Sequence, residues 1–108
     1  MDLSIEYTGT ELPKIVKNRY GRSTSYFIPY NIVEDNGAYT YRYVSLSQDD
    51  YNYGGLVDAI IGVKYSLADS LAILNNYLYD NKNKEYKKEF EDLQAWRTFA
   101  KEEAKRYF

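Results

Sequence analysis

The chain has no histidine and no cysteine among its 108 residues. The first absence removes the imidazole general base, and the second removes the thiolate nucleophile. Together they remove the soft metal ligands. Without cysteine there are no disulfides, so the fold rests on packing alone. A strong charge of either sign is also missing: 14 basic residues face 16 acidic ones. A nucleic-acid binder carries a basic stripe, so bulk charge argues against nucleic acid as a partner. The longest apolar run, Ala59 to Val63, is too short to cross a bilayer as a helix. Met1 to Glu6 has no basic and no apolar signal region. The expectation is a soluble protein kept inside the producing cell.

What the chain has in abundance is tyrosine, with 14 residues. The tyrosine ring is stiff and apolar with a polar tip, which suits contact surfaces. This balance favours binding or assembly over catalysis, and the chain is read as no enzyme. Ser23-Thr24-Ser25 has no histidine partner, and neither a nucleophile elbow nor a P-loop occurs. Asp49-Asp50 and Glu89, Glu91 and Asp92 lack the spacing of a calcium loop and are read as solvated charges. No metal and no cofactor is expected. Gly54-Gly55 ahead of a helix offers backbone N–H groups to an anion, a weak signal taken alone.

The hydrophobic period changes near Gly54. Residues 1–53 alternate and carry turn residues, while 54–108 follow a helical period. One α+β domain is predicted, a β-rich part followed by three helices. Asn36-Gly37 predicts a type I′ hairpin between Tyr26–Asp35 and Ala38–Ser47. A plain two-residue loop sets Glu34 opposite Tyr39, Ile32 opposite Tyr41, Tyr30 opposite Tyr43 and Ile28 opposite Ser45. One face then becomes a tyrosine and isoleucine ladder, each such pair contributing roughly 0.2–1 kcal/mol. Pro29 cannot donate to a ladder, so its strand is expected at an edge or with a bulge there. Leu3–Tyr7 and Pro13–Lys17 are candidate further strands, and Tyr20 to Ser23 a turn.

In the second half, Leu56, Ile60, Ile61 and Val63 stripe a first helix that ends at Tyr65-Ser66. Ser66 to Asp69 has the form of a capping box. Leu67, Leu71, Leu74 and Leu78 then recur at helical spacing, up to a polar break at Asp80–Asn83. From Lys84 to about Arg106 a seam of Tyr86, Phe90, Leu93, Arg97, Ala100, Ala104 and Tyr107 runs at spacings of four and three, widened by Trp96 and Phe99. Glu102 and Arg106 are a candidate surface pair. The last helix is read as packing on its own domain, with self-association through the seam as the alternative.

Both hairpin faces carry large residues, and the helices can cover one of them. An exposed aromatic patch marks an interaction site. The candidate protein contacts are therefore Tyr30, Tyr39, Tyr41 and Tyr43 on the hairpin, with Trp96 and Arg97 on the last helix. Against this stands the plainer reading of tyrosines as strand formers, half buried under helices.

Val57-Asp58-Ala59-Ile60-Ile61-Gly62-Val63-Lys64-Tyr65-Ser66-Leu67-Ala68-Asp69, with Glu85-Tyr86 and Lys101 to Lys105, resembles small proteins encoded by phages and prophages of gut Bacteroidetes. The resemblance covers the helical half and carries no catalytic signature. It implies a virion or tail-associated component, or a small assembly factor, located in the virion or in the host cytoplasm during assembly. Its partners would be other protein subunits, as a homo-oligomer or with phage structural proteins. The alternative expectation is a small monomeric inhibitor that binds one host or phage enzyme.

Overall fold

The computed structural model describes residues 6–108. Four strands come first: β1 (Glu6–Gly9), β2 (Val16–Tyr20), β3 (Ser23–Asp35) and β4 (Ala38–Ser47). Three helices follow: α1 (Tyr53–Lys64), α2 (Leu67–Tyr79) and α3 (Lys84–Ala104). The α+β fold expected from the change of period is present. The antiparallel sheet has the order β1-β4-β3-β2, so the long hairpin is its centre. Of the candidate strand Leu3–Tyr7, Leu3 to Ile5 lie outside the described residues. The second candidate falls further along than expected, starting at Val16 rather than Pro13.

Asn36 and Gly37 take φ of 52° and 80°, the two positive values a type I′ turn requires. Next to the turn the register is the expected one, with Glu34 opposite Tyr39 and Val33 opposite Thr40. Then it slips. Asn31 and Ile32 together oppose Tyr41, and Tyr30 pairs with Arg42 instead of Tyr43. This β-bulge turns on Asn31 at φ 54°, a conformation that asparagine tolerates better than most residues. Beyond the bulge every pair moves by one, which changes the face. Ile28 now faces Val44, Tyr26 faces Leu46, and these with Tyr30 form the core side of the sheet. The predicted tyrosine and isoleucine ladder is therefore split: Ile28 and Tyr30 go inward, and Tyr41 and Tyr43 go to the other face.

Against the inner face pack Leu56, Val57 and Ile60 of α1 and Ala100 and Ala104 of α3. The alanines let α3 lie close on α1. Asn52 caps α1 by accepting the Gly55 N–H at 2.8 Å, so one of the two N–H groups of Gly54-Gly55 is already used within the chain. A Cβ on Gly55 would stand 1.9 Å from the Asp50 carbonyl oxygen, so the close turn into α1 requires glycine there. The capping box of α2 is formed as expected: Asp69 N–H donates to Ser66 Oγ at 3.0 Å, and Ser66 N–H to Asp69 Oδ2 at 3.3 Å. Asn83 caps α3 through the N–H groups of Glu85 and Tyr86. Among the described residues no helix is long and apolar enough to cross a membrane.

Candidate protein-contact surfaces

Three places on the molecule bear on contact, and two of them hold predicted contact residues. The first is the sheet face turned away from the helices. There Tyr7, Tyr41 and Tyr43 form an aromatic triangle. Tyr7 stacks on Tyr41 at 6.1 Å, and both meet Tyr43 edge-on, at 5.3 and 5.4 Å. Tyr39 lies on the same side, opposite Gly9 and Glu34. Burial, followed by the neighbouring Tyr41 and Tyr7, pushes the Tyr43 hydroxyl above the usual tyrosine range. Tyr30 does not belong to this group. The bulge turns it inward, where it is fully buried in the core, so it is not a contact residue.

The second place is the end of α3 against β3. β2 stops at Val16, opposite Phe27, and leaves β3 with an open edge beyond that point. The C-terminal turns of α3 close it. Tyr107 Oη donates to the Pro29 carbonyl, and the Asn31 N–H donates to Glu103 Oε1 at 3.1 Å. In a strand the N–H and C=O of one residue point the same way. The missing N–H of Pro29 therefore points to this open edge and interrupts no ladder, which meets the expectation of an edge or bulge. Glu103 is 5% exposed, and Arg106 Nε stands 2.8 Å from its Oε2 without hydrogen-bond alignment, an ionic contact. The predicted Glu102–Arg106 pair is thus replaced: Glu102 pairs with Lys105 at 3.2 Å, because Arg106 turns to the buried carboxylate. Burial, then Glu103 and Tyr43, push the Tyr107 hydroxyl up to about 12, against the lowering influence of Arg106. Neither Glu103 nor its bonds to β3 was singled out in the sequence; a lone glutamate in a charged helix carries no such signal.

The third place is the groove between α1, α2 and α3. Its walls include Ile61, Tyr65, Leu67, Leu71 and Leu74, with Asp58 and Arg97 at its margins, and it encloses about 490 Å³. The helix α2 has no buried residue. Leu67, Leu71, Leu78 and Tyr79 are 77%, 50%, 79% and 90% exposed. On its inner side α2 is tied to α3 by Tyr77, stacked on Phe90 at 4.1 Å. The α3 seam is used within the chain: Leu93, Ala100 and Ala104 are buried, in line with the reading of a helix packed on its own domain. Trp96 is likewise committed internally. Its indole N–H donates to the Ile60 carbonyl at 2.9 Å, its ring stacks on Phe99 at 4.7 Å, and Lys64 Nζ lies 4.0 Å from its centre. Of the two predicted contact residues on α3, Trp96 is a packing residue with one partly open side, and Arg97 lines the groove.

Burial, then Asp92 and Glu89, raise the Tyr65 hydroxyl above its ordinary range at the edge of this groove. Among the described residues neither Arg97 nor Asp58 forms an ion pair. Chemically the groove is an apolar trough with one cation and one anion free to meet a partner. No family model, no curated protein and no solved structure matches this chain.

Proposed function

We propose that this chain acts by protein–protein contact, as a small structural or assembly component. The observation that supports the reading is α2, a whole helix with leucines on its surface and no buried residue. Exposed apolar patches of this kind belong to interaction surfaces, because water penalises them unless a partner covers them. The absence of histidine and cysteine and the tyrosine-rich composition point the same way. The resemblance of the helical half to phage-encoded proteins suggests the setting, a virion or its assembly in the host.

The test is the solution mass of the full chain by light scattering across a range of concentrations. The expected result is a defined species heavier than the 12.7 kDa monomer. A strict monomer at every concentration overturns self-assembly and moves the reading to an inhibitor that binds one enzyme.

A further inference from the structure

Leu67, Leu71, Leu74 and Leu78 follow one another at spacings of four, three and four. This is the spacing of a helix seam that receives a second helix, knobs into holes. In this chain the seam has no such second helix: its leucines at 67, 71 and 78 are exposed, and only Leu74 is half buried. Thirteen residues are too few for a free coiled coil. Here, however, α2 is already held on α3, so a partner need not pay for folding it.

The charges at the groove identify the partner. Arg97 and Asp58 line the same groove, and neither has an ion pair within the chain among the described residues. A partner of one charge sign satisfies one of them and opposes the other. A second copy of the chain, turned by a two-fold axis, brings an aspartate to each arginine and an arginine to each aspartate, and it brings the same leucine seam. We infer that this groove is the dimer interface of the protein, with α2 lying antiparallel on α2 of a second copy and Arg97 of each copy facing Asp58 of the other. The inference rests on the contact reading above and names its partner.

The experiment is sedimentation equilibrium on the full chain and four variants, with helix content followed by circular dichroism. Wild type is expected to pass from monomer to dimer with rising concentration. Leu71→Glu places a charge at the centre of the seam and should leave a monomer of unchanged helix content. Arg97→Asp and Asp58→Arg should each weaken the dimer by about tenfold or more, the scale for one member of an interfacial charge pair. The double reversal, Asp58→Arg with Arg97→Asp, should restore association to within about threefold of wild type, since the pair is merely exchanged. A dimer or larger oligomer indifferent to Leu71→Glu overturns this interface and leaves the contact reading standing. Single reversals without recovery in the double variant overturn the Arg97–Asp58 pairing. A monomer under all conditions overturns both the interface and self-assembly.

Discussion

Glu103 sits in the core for a backbone reason. Its Oε1 takes the Asn31 N–H, which the end of β2 leaves without a strand partner, and its Oε2 is held by Arg106. Removing the carboxylate leaves that donor without its partner and the arginine unpaired. Glu103→Ala is expected to cost about 1.5–3 kcal/mol, the range for a hydrogen bond to a charged group, read from urea denaturation. Asn31→Gly should be tolerated, whereas Asn31→Ala should lose about 1 kcal/mol, because only the former accepts positive φ freely. Tyr107 has a pH consequence. Its folded value of about 12 lies above the unfolded value near 10, so folding favours the protonated hydroxyl. Its contribution is complete below about pH 10 and is lost as the pH climbs towards 12. Alkaline denaturation of Tyr107→Phe should therefore fall less steeply with pH in that window than wild type, after an initial loss of about 1 kcal/mol from the Pro29 carbonyl bond.

At the scale of the element, the two glycines that open α1 are not equivalent. Gly55 faces the Asp50 backbone at a distance no Cβ permits, whereas a Cβ on Gly54 meets only Asn52 Oδ1 at 3.6 Å. Gly55→Ala is expected to destabilise by about 1–3 kcal/mol through forced movement of the turn. Gly54→Ala should be neutral or stabilise by about 0.5–1 kcal/mol, since it removes unfolded-state freedom inside a helix. Thermal melts of the two variants would separate the cases. The capping box of α2 was readable from the chain because it is made within four residues, Ser66 to Asp69; the Asn52 and Asn83 caps are equally local but were first seen in the structure. The hairpin turn was readable for the same reason. The bulge was not, because Asn31 is held by a glutamate 72 positions away.

For the whole molecule the question is which apolar surface is core and which is left for others. The chain extends over 48 × 40 × 22 Å, a flat body in which α1 and α3 cover the sheet while α2 leans on α3 at the margin. Ile60→Ala, inside the core, is expected to cost about 2–5 kcal/mol. Leu67→Ser with Leu78→Ser, both on the open side of α2, should change monomer stability by less than about 1 kcal/mol. Denaturant titrations at a dilution where the chain is monomeric would measure both. A large loss in the α2 variant would mean that these leucines belong to the chain's own core.

The sequence by itself determined the order of strands and helices, the type I′ turn, the α2 capping box, and the exclusion of imidazole and thiol chemistry, because each depends on residue identity or on neighbours a few positions apart. It also marked Arg97 as an odd member of an apolar seam. Only the tertiary structure decided the rest. One extra residue at Asn31–Ile32 sent Tyr30 into the core and Tyr41 and Tyr43 to the far face, since a strand alternates sides at every residue. Likewise Leu67, Leu71, Leu74 and Leu78 and the α3 residues Leu93, Ala100 and Ala104 have the same helical spacing, yet the latter are buried and the leucine stripe of α2 is largely open. Spacing defines a face, but what covers that face depends on elements distant in the chain.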